Sequence, residues 1–193
     1  MSVVIINYNA GNVQSVTYAL QRLGVEPVLS ADPDEIRVAD KVIFPGVGEA
    51  STAMNFLRNK GLDEVIKSLK QPVFGVCLGL QLMCSHSEEN DTDCLGIFDV
   101  KVRKFEPKLK VPQMGWNNLE KLNSPLFEGL TEEAYVYYVH SYYAELSECT
   151  VAETEYINRF SAALQKDNFY ALQAHPEKSG KVGEQILSNF LRL

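Results

Sequence analysis

The sequence predicts an α/β fold in one domain, residues 1–193, with a central mainly parallel sheet flanked by helices and additional antiparallel strands in the second half. The first half alternates short apolar runs with amphipathic ones, the order that produces parallel strands joined by helices. The second half changes to short segments rich in β-branched and aromatic residues, which favour antiparallel strands and turns. No internal repeat, low-complexity tract or linker divides the chain.

The apolar runs of the first half have the length of buried strands, and the segments between them have helical periodicity. Asp32 and Pro33 are typical of a helix start, since they offer an N-cap and a proline at the first helical position. Strands are expected near Val3–Ile6, Pro27–Leu29, Lys41–Phe44 and Val73–Val76. Helices are expected at about Asn12–Leu23, after Asp32, and at Ala50–Arg58 and Leu62–Leu69.

The second half is predicted to contain short strands and one closing helix. The amphipathic helix is expected at Val182–Leu191, because its apolar side chains fall on one face. The expected strands are Asp99–Phe105, Tyr135–His140, Tyr142–Glu145, Val151–Tyr156, Ala162–Gln165 and Tyr170–Gln173.

Composition and charge restrict the class of function. The chain is 46% hydrophobic, with a formal net charge of -7 and a pI of ≈ 5.0, which suits one sizeable core in an acidic domain. This balance argues against a nucleic-acid or anionic-membrane surface. No segment is long and apolar enough to span a bilayer, so we expect a cytoplasmic protein. The cysteines at positions 77, 84, 94 and 149 form no CxxC pair and indicate a reducing compartment with one working thiol.

The segment 75–81, GVCLGLQ, predicts an accessible nucleophile. Cys77 stands between two glycines, after a strand-like run and before a helix-like one. A sharp strand-to-helix turn forces its central side chain out of both elements. Because a helix N-terminus favours negative charge, the Cys77 thiol is expected to ionise more readily than a free cysteine and to attack a carbonyl carbon. The alternative is a buried core cysteine in an apolar turn.

A base for that thiol is available in the segment 173–179, QAHPEKS. Alternation along an extended backbone puts His175 and Glu177 on one side, and Pro176 between them disfavours a helix. A carboxylate beside an imidazole fixes its tautomer and stabilises the imidazolium. Taken alone, His175 is explained as well by a capping or surface histidine. Together with Cys77, the segment supplies a nucleophile, a base and an orienting acid.

A third segment, PGVGE at 45–49, follows the predicted strand Lys41–Phe44. A glycine loop before a helix exposes backbone N–H groups, and a single donor to a developing oxyanion is worth about 3 kcal/mol in acyl transfer. The N–H of Leu78, just after the nucleophile, is the natural second donor. The alternative is an ordinary glycine-rich turn. A phosphate-binding loop is disfavoured because neither G-x-x-x-x-G-K-[ST] nor G-x-G-x-x-G occurs.

Metal binding is an alternative at Cys84, His86 and Glu88, which alternate in one short segment and are all possible ligands. The segment follows a predicted helix, where alternation does not bring side chains together, and the other histidines are far away in sequence. We therefore expect no metal site and no cofactor, since the acyl chemistry needs neither.

Three motifs, PGVG (45–48), GVCLGLQ (75–81) and HPE (175–177), occur in the order found in the class I (triad) glutamine amidotransferases, and the chain resembles that family from Asn7 to Ser179. Within the family, PQMGWN (112–117) and YVHSY (138–142) resemble signature segments of the glutaminase subunits of imidazole glycerol phosphate synthases. The resemblance implies hydrolysis of glutamine to glutamate and ammonia through a cysteinyl thioester, with the ammonia passed to a synthase of histidine biosynthesis.

The resemblance also implies roles for individual residues. Cys77 would attack the side-chain amide of glutamine, His175 would move protons and Glu177 would orient His175. The backbone groups implied to hold the oxyanion are those of Val47, Gly48 and Leu78.

The side chains implied to bind the substrate glutamine are Gln81, Glu89, Ser141 and Tyr142. A carboxylate at position 89 suits the α-ammonium group of glutamine. Its neighbour Glu88 leaves that assignment open by one position.

The implied partner is a cyclase subunit of (β/α)₈ barrel fold that forms a heterodimer with this chain and consumes the ammonia. The residues that match the family's subunit interface or ammonia route are Asn12, Met114, Trp116 and Lys178. The alternatives are core packing for Met114 and Trp116, and a solvated charge for Lys178.

Other functions stay open. A paralogous glutaminase would supply ammonia to another synthase, such as a surface-sugar amidotransferase. A cysteine peptidase or small-molecule hydrolase would use the same elbow on other substrates and without a partner. A binding subunit that has kept only the fold conflicts with the presence of Cys77, His175 and Glu177 together.

Overall fold

The computed structural model describes residues 1–8 and 11–193. The strands of this part of the chain are β1 (Val3–Ile6), β2 (Val28–Ser30), β3 (Lys41–Phe44), β4 (Val73–Val76), β5 (His86–Ser87), β6 (Thr92–Asp93), β7 (Lys101–Lys104), β8 (Gln113–Asn118), β9 (Tyr135–His140), β10 (Tyr142–Ala144), β11 (Thr150–Glu155), β12 (Arg159–Lys166) and β13 (Phe169–Leu172). The helices are α1 (Val13–Arg22), α2 (Pro33–Val38), α3 (Ala50–Asn59), α4 (Leu62–Ser68), α5 (Leu78–Met83) and α6 (Gly180–Arg192), with 3₁₀ turns at Pro125–Phe127 and Pro176–Lys178.

One large sheet combines parallel and antiparallel pairing. Its strands lie in the order β2-β1-β3-β4-β13-β12-β10-β7-β5-β6, and β11 pairs with β12. From β2 to β13 all neighbours are parallel, whereas β12 pairs antiparallel with β13, β10 and β11. Strands β8 and β9 form a separate antiparallel pair. The predicted α/β class, with a parallel first half and antiparallel strands added later, is confirmed.

Two apolar layers cover the faces of the sheet. The central strands β1, β3 and β4 are therefore buried along their whole length. One layer contains the packed side chains of α3 and α4, with Met54, Leu57 and Ile66 among them. The other joins α1 and α6 to the β8–β9 pair, with Leu20, Tyr138 and Phe190 among its side chains. Burial on both faces explains why these strands are continuous apolar runs in the sequence.

Sheet order brings the three sequence motifs together. Strand β4 lies between β3 and β13, and all three run parallel, with Phe44 beside Gly75 and Val76 beside Leu172 in register. The segments that follow these strands therefore leave the sheet at one edge. The carboxyl edge of parallel strands is where open α/β sheets bind their ligands.

The strands predicted at Val3–Ile6, Lys41–Phe44, Val73–Val76 and Tyr135–His140 have the predicted bounds, and the other predicted elements are present with ends moved by at most three residues. The strand expected at Ala162–Gln165 is longer, β12, and the strand expected from Asp99 begins only at Lys101. Strands β5, β6 and β8 were not predicted. The first two have only two residues each, too few to show an alternation, and β8 contains Gly115, which weakens a strand pattern.

None of the described helices is long and apolar enough to cross a membrane.

Candidate active site

Cys77 sits on a strained turn between β4 and α5. Its φ of 53° and ψ of -107° lie outside the regions that non-glycine residues normally occupy. Its backbone N–H donates to the carbonyl oxygen of Leu172 at 2.8 Å, which ties the turn to β13. A Cβ on Gly79 would lie 1.9 Å from the carbonyl oxygen of Phe44, so α5 can approach β3 only with glycine there. The predicted elbow is present.

His175 is brought to Cys77 by the pairing of β13 with β4. The imidazole is buried, and its Nδ1 lies 2.7 Å from Oε1 of Glu177. The expected extended backbone ends at His175, however, because Pro176–Lys178 forms a 3₁₀ turn. This turn, not strand alternation, carries Glu177 back onto the imidazole. The Nε2 of His175 is buried and has no hydrogen-bond partner among the described residues, which leaves it available for proton transfer.

Asn12 contacts the acid of this triad. Its side-chain Nδ2 donates to Oε1 of Glu177 and lies 3.5 Å from Nδ1 of His175. The family resemblance implies a place for Asn12 at a subunit interface or ammonia route, and nothing in the sequence indicated contact with Glu177. The amide donor gives the buried carboxylate a second hydrogen bond and so helps to hold it against the imidazole.

The electrostatic surroundings favour a protonated His175. Burial alone lowers the pKa of this imidazole, but attraction to the charge on Cys77 and to Glu177 outweighs burial and raises the pKa to about 10. The imidazolium lies beside the sulfur of Cys77, and Glu177 orients it. The geometry and the charges therefore describe a cysteine next to an oriented proton donor and acceptor.

This electrostatic pairing predicts the titration of the histidines. His175 is expected to stay protonated through pH 8 and to lose its proton only near pH 10, because its pKa is raised to about 10. In Cys77→Ala the pKa of His175 should fall, since the main attraction is lost while burial remains. Nitrogen-15 NMR of the imidazole groups measures this directly.

His140 is the internal reference for that titration. Burial lowers its pKa to about 4, so it should stay neutral at every pH above 5 in both proteins. A neutral His175 at pH 7.5 in the unsubstituted protein would contradict the proposed pairing with Cys77.

The glycine loop after β3 lies beside the elbow but does not present two free donors. The N–H of Leu78, expected to hold an oxyanion, donates to the carbonyl oxygen of Gly46 at 3.2 Å. Gly48 has a φ of 133°, a conformation that L side chains rarely adopt. The expected hole at Val47, Gly48 and Leu78 is therefore closed in this conformation, and the Gly46 carbonyl must turn away before Leu78 can donate to a substrate.

A cavity of ≈ 330 Å³ opens at the carboxyl edge of the sheet beside Cys77. Although Cys77 is only 6% exposed, it borders this cavity and is not an enclosed core cysteine. All four residues predicted to bind glutamine are on its wall, together with both reacting side chains and the three residues predicted to hold the oxyanion. The residues on this wall include Val47, Gly48, Cys77, Leu78, Gln81, Glu89, Ser141, Tyr142, His175 and Lys178.

The structure distinguishes the two neighbouring glutamates. Glu89 is half-buried at the cavity, and its Oε2 accepts a hydrogen bond from the N–H of Ala50 at 2.7 Å. Burial raises the pKa of Glu89, while the Ala50 donor partly offsets that effect. Glu88 instead pairs with Arg103 at 2.9 Å, outside this cavity. Of the two carboxylates, Glu89 has the position to meet an ammonium group.

Two of the predicted interface residues, Met114 and Trp116, lie on β8, and Lys178 borders the cavity. Met114 and Trp116 are 58% and 56% exposed on one face of β8, so core packing is wrong for both. The ring of Trp116 contacts Tyr137 edge-on, at 5.8 Å between centroids. Lys178 is exposed and borders the cavity. Exposed large apolar side chains of this kind are typical of interaction surfaces.

The possible metal ligands do not converge. The thiol of Cys84 donates to the carbonyl oxygen of Leu80, His86 faces Asp91 and Asp93, and Glu88 turns to Arg103. Within the described ranges, no group of three or more histidine, cysteine, aspartate or glutamate side chains has the arrangement of a metal site.

Two residues near the nucleophile were not assigned from the sequence. Gln173 is fully buried, and its Nε2 donates to Sγ of Cys77 at 3.7 Å. His140 is buried at the wall of the cavity, with Nδ1 2.7 Å from the carbonyl oxygen of Tyr142. Gln173 stands two positions before His175 at the end of a strand, and a polar residue at the end of a buried strand is the signal that could have indicated it.

The family profile described as "Glutamine amidotransferase class-I" matches residues 4–193. Solved structures agree on the fold. One that is described as a glutamine amidotransferase has a TM-score of 0.78 at 20% identity and covers 99% of this chain and 98% of its own. A glutamine amidotransferase from Thermotoga maritima has a TM-score of 0.67 at 16% identity, covering 100% and 83%. The chain belongs to the class I glutamine amidotransferases.

Proteins with higher sequence identity to this chain come from one branch of that family. The chain is 63% identical to the imidazole glycerol phosphate synthase subunit HisH of Bacteroides thetaiotaomicron, with 100% of both chains covered. It is 46% identical to the HisH subunit of Pectobacterium atrosepticum, again over 100% of both, and 44% identical to that of Idiomarina loihiensis, over 100% of this chain and 98% of the relative.

Proposed function

We propose that this chain is the glutaminase subunit of an imidazole glycerol phosphate synthase. It hydrolyses glutamine to glutamate and ammonia and passes the ammonia to a cyclase subunit in histidine biosynthesis. The observation that supports the glutaminase activity is the buried arrangement of Cys77 and His175 at the wall of a cavity, with Glu177 hydrogen-bonded to His175. The 63% identity to a HisH subunit over the whole length of both chains supports the choice of synthase.

The first half of the reaction uses the thiolate and the imidazolium. The sulfur of Cys77 attacks the side-chain carbonyl carbon of glutamine, forming a C–S bond and an oxyanion. As the oxyanion collapses, the C–N bond breaks and Nε2 of His175 gives its proton to the leaving nitrogen, which departs as ammonia. The hydrogen bond from Nδ1 to Glu177 keeps Nε2 aimed at the reacting atoms throughout.

The second half reverses these roles. His175, now neutral, takes a proton from water while the water oxygen attacks the thioester carbonyl. The second oxyanion collapses with cleavage of the C–S bond, which releases glutamate and restores the Cys77 thiolate. Glu177 stabilises the imidazolium formed in this step.

Substrate binding is assigned to the cavity wall. Glu89 has the position to pair with the α-ammonium group of glutamine, and its carboxylate is already fixed by the Ala50 N–H. Gln81, Ser141 and Tyr142 border the same space and complete the proposed glutamine site. This assignment places the γ-amide of the substrate at Cys77.

The partner is proposed to be a cyclase of (β/α)₈ barrel fold in a heterodimer, located in the cytoplasm. The face of β8 with Met114 and Trp116 is the proposed docking surface, because tryptophan is enriched among residues that anchor interfaces. Lys178 borders the cavity and Asn12 contacts Glu177, so both have the position to line the ammonia route.

Activity is proposed to depend on opening the glycine loop. While Leu78 donates to the Gly46 carbonyl, that N–H is unavailable to an oxyanion. Rotation of the peptide between Gly46 and Val47 would withdraw the carbonyl and turn the Val47 N–H toward the same space. Since loss of one oxyanion donor costs about 10²–10³-fold in rate, binding of the cyclase and its nucleotide is expected to accelerate glutamine hydrolysis by about that factor.

The test measures glutamate formation by the purified chain alone, with the cyclase, and with the cyclase and its nucleotide ligand. Stimulation by both, absent in Cys77→Ala, is the expected result. Hydrolysis that is indifferent to the cyclase would assign the chain to another synthase, such as a surface-sugar amidotransferase. Absence of glutamine hydrolysis under all three conditions would overturn the proposed glutaminase activity.

A further inference from the structure

A buried polar group lies against the nucleophile in addition to His175. Gln173 follows the last residue of β13, is 0% exposed, and donates from Nε2 to Sγ of Cys77 at 3.7 Å. Its backbone N–H is bound separately, to the carbonyl oxygen of Ala162 at 2.8 Å. The side-chain amide is therefore not needed to complete the sheet, and its hydrogen bonds go to other side chains, as expected of a buried amide.

The direction of this amide is fixed by a chain of hydrogen bonds. The carbonyl oxygen of Tyr142 can only accept, and Nε2 of Gln81 donates to it at 2.9 Å. The same Nε2 donates to Oε1 of Gln173 at 3.0 Å. Because the oxygen of Gln173 faces Gln81, its NH₂ group must face the sulfur of Cys77.

The Tyr142 carbonyl, where these hydrogen bonds begin, also accepts from a second side chain. His140, the last residue of β9, donates from Nδ1 to the carbonyl oxygen of Tyr142 at 2.7 Å. Hydrogen bonds thus link the end of β9 to the sulfur through the Tyr142 carbonyl, Gln81 and Gln173.

The other groups around the sulfur show what this donor adds. His175 faces it with a positive charge, and the Tyr8 hydroxyl is close enough for the sulfur's charge to raise the pKa of Tyr8, after burial, the larger cause. The carbonyl oxygen of Val139 lies 3.9 Å from Sγ; it accepts from the thiol and repels a thiolate. Gln173 is the donor that opposes this carbonyl.

We propose that Gln173 is a further catalytic residue, which donates a hydrogen bond to the Cys77 thiolate and holds the sulfur in position for attack, and that Gln81 orients it. The proposal rests on Cys77 being the nucleophile of the proposed glutaminase. A hydrogen bond to a charged acceptor is stronger than one to a neutral acceptor, so the amide stabilises the thiolate more than the thiol. Gln81 consequently has two tasks, at the cavity wall and behind the nucleophile.

The decisive variant is Gln173→Glu in the full chain. It keeps the shape and leaves an oxygen to accept from Gln81, but replaces the donor to the sulfur with a negative oxygen. Gln173→Met, which removes the donor without adding charge, accompanies it. The readout is the rate of Cys77 alkylation by iodoacetamide between pH 5 and 10, followed by mass spectrometry of the peptide that contains Cys77.

We expect the midpoint of alkylation to move up by about one pH unit in Gln173→Met and by more in Gln173→Glu. With glutamine as substrate, kcat should fall by about tenfold or more in Gln173→Glu, with KM changed much less, because the glutamine-binding side chains keep their partners. A purely structural amide would lower stability without moving the alkylation profile.

Asn189→Leu is the matched control. Asn189 is also a buried amide, and it donates to the carbonyl oxygens of Leu126 and Glu128 at 2.8 and 2.9 Å, away from the cavity. Its replacement should reduce stability and leave the Cys77 profile unchanged. If both Gln173 variants fail to fold, Gln81→Met removes the orienting donor and should move the profile in the same direction.

An unchanged profile in the folded variants would overturn the role of Gln173 while leaving the glutaminase intact. Absence of glutamine hydrolysis in the unsubstituted protein, with a shifted profile in the variants, would overturn the proposed function and not the hydrogen bond. Alkylation needs neither substrate nor partner, so the two failures are distinguishable.

Discussion

Replacing Cys77 by alanine is expected to lower glutamine hydrolysis by at least about 10⁴-fold, because no other group described at the cavity can form the thioester. Affinity for the cyclase should change little, since the thiol is only 6% exposed and contributes almost no interface area. The measurement is glutamate release by Cys77→Ala with the cyclase and its nucleotide, together with the Kd of the complex by calorimetry.

Trp116→Ala is the matched control for this separation of chemistry from docking. Trp116 is 56% exposed on β8 and is not on the wall of the cavity that holds the reacting side chains. Its loss should weaken the complex by about 2 kcal/mol, or roughly 30-fold, while the hydrolysis seen without a partner stays the same. Loss of complex formation in Cys77→Ala would show that the nucleophile segment itself supports the interface.

The second large effect is expected on folding. In Gly79→Ala the new methyl group would lie 1.9 Å from the carbonyl oxygen of Phe44, a backbone atom of β3. Strand β3 cannot retreat, because it is hydrogen-bonded to β1 on one side and β4 on the other. We expect a loss of about 3 kcal/mol or more in the free energy of unfolding, or a Tm lower by about 6–12 °C. Urea and thermal unfolding measure both quantities.

Gly24→Ala distinguishes a steric clash from the ordinary cost of removing glycine. Gly24 has a φ of 78°, but nothing lies within 4 Å of the position its Cβ would take. The free energy of unfolding of this variant should fall by only about 1–2 kcal/mol, the cost of an alanine in a left-handed conformation. An equal decrease in the free energy of unfolding in Gly79→Ala and Gly24→Ala would mean that α5 and β3 are not in tight contact at Gly79.

The individual motifs could be predicted from the sequence because each depends on neighbours along the chain. Gly75 and Gly79 flank Cys77, and His175 stands two residues from Glu177, so the chemistry of a thiol, an imidazole and a carboxylate was evident. The backbone path was less evident. The contact between His175 and Glu177 is present, but a 3₁₀ turn produces it, since local alternation cannot distinguish a short turn from a strand.

The hydrogen bonds around the site could not be predicted, because their partners are far apart in the sequence. Asn12 reaches Glu177, and Gln173 reaches Cys77, only after distant parts of the chain have packed together. The same holds for the Leu78 N–H, which is engaged by Gly46 in the neighbouring loop. Sequence spacing gives the reactive groups and carries no information on these contacts.

The sequence by itself determined the α/β class, the strands that precede the three motifs, and the chemistry of an activated cysteine, because periodicity and turn residues act over a few positions. The tertiary structure decided that β13 lies beside β4, that Glu89 and not Glu88 borders the cavity, and that the donor at Leu78 is occupied. Strand order and burial arise from the packing of the whole chain, since a strand presents the same local pattern whichever neighbour it pairs with.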